Sequence, residues 1–346
     1  MTNKLKQIII TPGIFLNNKE LWVLLFILGL GAYFRFWNIQ HLFNIIGDYD
    51  EGVYALGSRM MSQGYLPYRD FTLVHPPLYN LLLAAIYKIF GYSFFYGKYL
   101  SAVCSLASVI LIYLTGKKIA NSSIGLLAAA LFAISPDMVF AGRRIVQEAL
   151  GVFFVTLAIY FVADYLTVDK RNRLLFAGLA LGLAVATKYT FIPAVIAVYI
   201  SIIFILMSQR FSDSLKRLAR PCYLVCYVAF LICIYAMLFI FNYLTDLSVP
   251  IPFFNNLEFS LLNLFLIIVI FGIPFILTVL LMGKQLHLQE WLIEIRKALS
   301  RREVWYCIGG TVIGYFLITG YFWVRTPQEF IHQTILLQNA RNTYFP

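Results

Sequence analysis

The stretch GDYDEGVYALGSRMMSQGYLPYRDFTLVHPPLYN, residues 47–80, holds four of the chain's sixteen acidic residues: Asp48, Asp50, Glu51 and Asp70. Apolar segments flank it on both sides, and whether it lies in water or crosses a membrane sets the orientation of everything after it. The 346-residue chain is 61% hydrophobic and only 12% charged. No soluble core of that size needs so much apolar surface, so the composition points to an all-α polytopic membrane protein.

Apolar runs at 21–37, 99–116, 124–140, 149–168, 191–207, 223–241, 259–282 and 304–324 are long enough, or nearly so, to cross a hydrocarbon layer of ~30 Å. The run 174–187 is shorter, but its AGLALGLAVAT pattern suits close helix packing, and it is counted as a ninth span. The helix expected over Leu78–Phe90 follows Pro76 and Pro77, is interrupted by Asn80 and Lys88, and reaches only ~20 Å at its rise per residue. It is read as an amphipathic helix lying on the membrane. Charge supports the choice. With the amino terminus inside, Lys4, Lys6, Lys19, Lys117, Lys118 and the basic residues of 170–173, 210–220, 284 and 296–302 are cytoplasmic, which makes 17 of 27 Lys and Arg. A tenth span at Leu78–Phe90 would invert the rest and leave only about a third of them inside. Residues 38–98 then form one long extracytoplasmic loop of a single transmembrane domain over 1–346. The first apolar run lacks a small-residue cleavage site and reads as a retained span.

The excess of Lys and Arg over Asp and Glu, 27 to 16, fits basic inner loops. No basic glycine-rich or zinc-like segment suggests a nucleic-acid partner. Cys104, Cys222, Cys226, Cys233 and Cys307 all lie in apolar runs and read as small buried hydrophobes rather than a disulfide framework.

Within the outer loop, Asp48 is a candidate helix N-cap with Glu51 three residues on, and Val53, Leu56 and Met60 make an apolar stripe before Gly64 ends the helix. Capping alone would explain Asp48 and Glu51. It does not explain Asp50, and Asp70 and His75 follow among Tyr65, Tyr68, Phe71 and the Pro76-Pro77 pair, which suggests an ordered loop. The same topology puts Arg143, Arg144 and Glu148 at one outer helix junction, Lys188 at another, and Arg325 and Arg341 beyond the last span. An ionisable group near hydrocarbon is a functional candidate, with snorkelling of Arg or Lys to headgroups as the alternative. Snorkelling suits Arg144 and Arg325; function suits Lys188.

These residues match a known pattern. DYDEGVYALGSRMMSQGYLPYRDFTLVHPPL resembles the first outer loop of the glycosyltransferase C superfamily, in the branch of protein O-mannosyltransferases and lipid A aminoarabinose transferases. The resemblance lies in Asp50-Glu51, Tyr54-Ala55, Gly64 and Pro76-Pro77-Leu78 after His75. RRIVQEALGVFFVTLAIY and GLALGLAVATKYTFIP also resemble that family, as does FIHQTILLQNAR near the carboxyl terminus. Family chains usually run longer, so a short or truncated form is expected.

The resemblance implies a glycosyltransferase C fold. It also implies inverting transfer of a sugar from a polyprenyl or dolichyl phosphate to an acceptor glycan, lipid or protein at the outer membrane face. Such chemistry needs a carboxylate to take the acceptor's proton and cations where the leaving phosphate gains charge. Asp50 is the candidate base, with Glu51 beside it. His75, Arg143, Lys188 and Arg341 are candidates for the donor phosphate, and Asp48, Tyr54, Asp70 and Glu148 for placing acceptor or sugar. His75 departs from the lysine common at this place in the aminoarabinose branch. Asp48 with Asp50 spells D-x-D, which binds a divalent metal in some branches, but two carboxylates make a weak site, and neither metal nor cofactor is expected. A secondary transporter or flippase of lipid-linked glycans is the rival class. It should carry charges at the midplane of repeated halves, and the sequence shows neither.

Overall fold

The computed structural model describes residues 18–40, 49–168, 170–208 and 288–337. The expected spans at 223–241 and 259–282, and Cys222, Cys226 and Cys233, lie outside the described residues. The chain divides into two compact units, one of residues 1–198 with 305–343, the other of 199–304 with 344–346.

The first unit is built from α1 (Asn18–Phe36), α2 (Tyr49–Ser62), α3 (Leu78–Phe90), α4 (Phe95–Ile119), α5 (Ser122–Ala133), α6 (Pro136–Gly142), α7 (Glu148–Val168) and α8 (Asn172–Thr187). A 3₁₀ turn over Tyr189–Phe191 leads into α9 (Ile192–Ser208), which runs into the second unit, where α10 (Leu288–Leu299) lies. Nearly all of α11 (Arg302–Arg325) belongs to the first unit, and α12 (Pro327–Ile331) continues as a π-helical turn over His332–Leu336. Among the described residues the only extended pairing is one isolated bridge between Pro67 and Phe71.

Among the described residues three helices, α4, α7 and α11, are long and apolar enough to cross a membrane, and the α5–α6 pair makes a fourth if it is one broken span. The helix α3 runs over the thirteen residues expected, closed by Gly91 at φ +81°. At 16 residues α8 is short, but its small residues do the packing foreseen for them: a Cβ on Gly182 would stand 2.2 Å from the Thr311 carbonyl oxygen, and one on Gly310 would stand 2.3 Å from that of Leu175. Backbones of α8 and α11 therefore touch, as small residues permit in a membrane.

The run 124–140 is not one straight span. Its two helices bend by 62° at Ile134-Ser135. Pro136 has no N–H to continue the ladder, and the carbonyls freed at such a break need other donors. Arg35, fully buried at the end of α1, supplies one: its Nη1 donates to Ala133 O at 2.7 Å and its Nε to Ser105 Oγ at 2.8 Å.

Ion pairs lace one end of the helices. Asp164 of α7 is buried between Lys118 of α4, at 2.7 Å, and Arg173 of α8, at 2.9 Å, while Lys117 reaches Glu20 of α1 at 2.8 Å. A buried carboxylate left with one cation fewer is costly, so these contacts fix the register of α4, α7 and α8. At the opposite ends a core of Tyr54, Leu78, Tyr79, Leu83, Ile145, Val146 and Leu150 joins α2, α3 and the start of α7. Cys104 and Cys307 are buried free thiols, as their apolar settings imply.

Candidate active site

The first turn of α2 exposes Asp50 and buries Glu51. Asp50 makes no hydrogen bond or ion pair with the described residues. Glu51 points the other way: its Oε1 accepts from Ile145 N–H at 2.7 Å, and its Oε2 lies 3.8 Å from Nζ of Lys98, a fully buried cation near the start of α4. Neighbours on one helix turn thus have opposite fates, one carboxylate facing solvent and the other locked inside. Asp48, the expected cap, lies outside the described residues, as does Arg341.

The loop between α2 and α3 is ordered by its own side chains. Gly64 takes φ +97° after the last turn of α2, where a left-handed residue closes a helix with least strain. Asp70 caps the turn that follows, accepting from Leu66 N–H at 2.8 Å while Arg69 grips both its oxygens. The Arg69 guanidinium, then that N–H, hold its carboxyl down at about 2. Asp70 therefore serves the loop rather than facing Glu51. Tyr68 adopts φ +71°, a strained conformation for a tyrosine, and donates its hydroxyl to the carbonyl of His75 at 2.8 Å. The backbone of Tyr68 is gripped from afar: Gln333, past α12, donates to Tyr68 O at 2.8 Å and accepts from Leu73 N–H at 3.0 Å. Phe322 and Phe330 pack edge-on to the buried Tyr68 ring.

This scaffold sets His75 beside α2. Its ring lies 6.0 Å from that of Tyr54. Glu148 opens α7 and Lys188 caps α8, and because these helices pack antiparallel the two meet: Lys188 Nζ donates to Glu148 Oε1 at 2.5 Å. An acid at a helix start and a cation at a helix end each sit where the helix dipole favours them. Both stay accessible, with side-chain exposure of 41% for Glu148 and 19% for Lys188, against 8% for Glu51 and 1% for Lys98. Next to Lys188, Tyr189 shares a 2.8 Å hydroxyl contact with Tyr315 of α11, and Trp323 Nε1 donates to the same Tyr315 hydroxyl at 3.4 Å.

Of the residues singled out in the sequence, Glu51, Tyr54, His75, Glu148 and Lys188 are brought into one region. Arg143 is turned elsewhere. Its two terminal nitrogens donate to the carbonyls of Phe34 and, at 2.7 Å, Trp37, which end α1. Arg144 lies over the Phe140 ring at 4.6 Å. Lys98 was missed by sequence reasoning, since one lysine at the head of an apolar run looks like a headgroup anchor. Among the described residues no cluster of three His, Cys, Asp or Glu could hold a metal ion.

Comparison with known proteins shows what the sequence is similar to. Residues 74–240 match the family described as dolichyl-phosphate-mannose-protein mannosyltransferase, a segment that contains His75, Glu148 and Lys188. The chain is 37% identical to dolichyl-phosphate-mannose–protein mannosyltransferase 5 of Saccharomyces cerevisiae, over 34% of this chain and 19% of that protein. It is 25% identical to dolichyl-phosphate-mannose–protein mannosyltransferase 1 of Candida albicans, over 50% of this chain and 22% of that protein. It is also 28% identical to an uncharacterized protein of Aquifex aeolicus over 34% of this chain. The resemblance to the protein O-mannosyltransferase branch is therefore borne out, and the chain spans about a fifth of the length of the curated mannosyltransferases it matches.

Proposed function

We propose that this protein is a multi-pass membrane glycosyltransferase that moves a sugar from a dolichyl- or other polyprenyl-phosphate donor to an acceptor hydroxyl, with inversion at the anomeric carbon. Mannose is the first sugar to test, because the names of the relatives specify it, and a protein hydroxyl is the first acceptor for the same reason. The reading includes nine spans, with the loop 38–98 and the site at the outer face. The observation that carries it is the meeting of Lys188 with Glu148 at the ends of α7 and α8, held by the same core as the α2 turn that exposes Asp50.

The chemistry divides between these groups. Asp50 takes the proton of the acceptor hydroxyl as its oxygen bonds to the anomeric carbon, opposite the breaking bond to the phosphate oxygen. The departing lipid phosphate gains negative charge, and Lys188 exchanges Glu148 for a phosphate oxygen at that moment. His75 adds a hydrogen bond from its ring. Glu148, once released, is free to accept from a sugar hydroxyl. Glu51 is buried and acts by holding the α2 turn, and Arg143, engaged at the end of α1, takes no part at the phosphate. No metal takes part.

Purified protein in lipid nanodiscs, given radiolabelled dolichyl-phosphate-mannose and a Ser/Thr-rich peptide, should label the peptide, and GDP-mannose should not replace the donor. Labelling from GDP-mannose without any lipid carrier would reject the proposal, as would uptake of the lipid donor across the bilayer without transfer.

A further inference from the structure

The carboxylate of Glu51 and the ammonium of Lys98 face one another in a place neither would enter alone. Lys98 is 0% exposed and Glu51 6%. Burial of either charge by itself is strongly unfavourable, and removing one partner of a buried pair leaves the other uncompensated. The pair is not isolated. Tyr79 of α3 donates to Gly97 O at 3.2 Å and shares a 3.1 Å contact with Ser101 Oγ, which in turn lies 3.4 Å from Val146 O. Ile145 N–H closes the circuit onto Glu51. There is no slack at the joint, because a Cβ on Gly97 would stand 2.7 Å from the Ile145 side chain.

The position of this knot gives it a consequence for the chemistry. Glu51 follows Asp50 directly, so where Glu51 is fixed determines where the exposed carboxylate points. Ile145 and Val146 lead into Glu148, so the same contact fixes the start of α7 and with it the Glu148–Lys188 pair. We infer that Lys98 is a positioning residue: its buried charge keeps Glu51 ionised on Ile145 N–H, and this one clamp sets the acceptor-side acid on α2 and the phosphate-side pair on α7 and α8 relative to each other. The inference rests on the proposed transferase reading for its kinetic consequences but not for its structural ones. Lys98 touches neither substrate; it acts through Glu51.

The test compares wild type with Glu51→Gln, Lys98→Met, Lys98→Arg and the Glu51→Gln/Lys98→Met double variant in nanodiscs, using dolichyl-phosphate-mannose and hydrogen exchange in parallel. Each neutral single variant should lower kcat by ~30-fold or more with donor KM within ~3-fold, the pattern of lost orientation rather than lost binding. The double variant should be no worse than the poorer single, and Lys98→Arg should stay within ~5-fold of wild type, because groups acting as one unit are not additive. Hydrogen exchange should speed up at 49–54 and 145–149 in Lys98→Met, with 100–116 still protected. Should Lys98→Met not fold, the double variant decides, since it leaves no buried charge unpaired. Losses that multiply in the double variant, wild-type kcat in Lys98→Met, or unchanged exchange at both segments would overturn the inference. Absence of transfer by wild type itself would reject the transferase proposal instead, and the exchange data would still decide the clamp.

Discussion

Lys188 Nζ lies 2.5 Å from Glu148 Oε1, so the cation proposed to take the donor phosphate is already satisfied by a carboxylate of its own chain. Both side chains are partly exposed, and such pairs are worth only ~0–1 kcal/mol. A phosphate with more charge and more oxygens can therefore displace the carboxylate at small cost.

Removing the competitor should help the product bind. Glu148→Gln is expected to tighten binding of dolichyl phosphate by up to ~5-fold, the reach of a surface pair. Lys188→Ala should weaken it by ~10-fold or more, as loss of a charge-assisted contact does. Fluorescence titration in nanodiscs measures both. Weaker binding in Glu148→Gln would mean that the pair is part of the site's architecture and does not open.

Arg143 gives the opposite pattern. Its bonds run to main-chain carbonyls at the end of α1, and hydrogen bonds from charged donors are worth ~2 kcal/mol each. Arg143→Ala should lower the unfolding temperature while leaving the donor KM within ~3-fold. A donor KM raised ~10-fold with unchanged unfolding temperature would return Arg143 to the phosphate.

The proposed topology is tested by single cysteines in a cysteine-free background. Gln63, exposed just after α2, should label in intact cells with a membrane-impermeant maleimide, and Ala120, exposed at the end of α4, should not. The reverse result would put the acids on the inner face and remove the basis for a lipid donor reached from outside.

How much of this was legible in the sequence follows from the range of the forces involved. Local signals served well. Pro76-Pro77 and Gly91 bracket α3, Gly64 stops α2, and the small residues of α8 announced a backbone-to-backbone contact that α11 completes. Pro136 was equally visible, yet a hydropathy run carries no mark of direction, so the 62° break was read through. The charges were harder. Whether a lysine is a headgroup anchor or a buried counter-ion depends on what packs over it, and Lys98 is buried facing Glu51, which arrives from another helix. Arg143 sits in a family-like segment, but its partners are carbonyls of Phe34 and Trp37, and a main-chain oxygen has no signature in a sequence. Glu51 fitted a capping pattern and turned out to serve a second helix.

The exposed carboxylate of Asp50 carries the central claim, and one comparison tests it most directly. Wild type and Asp50→Asn, matched for fold by unfolding temperature, are each loaded with radiolabelled dolichyl-phosphate-mannose and followed through a single turnover with acceptor peptide. Asparagine keeps the shape but accepts no proton, so the variant should bind donor as wild type does and transfer ~100-fold more slowly or worse. Transfer by Asp50→Asn at the wild-type rate, with donor binding intact, would contradict it.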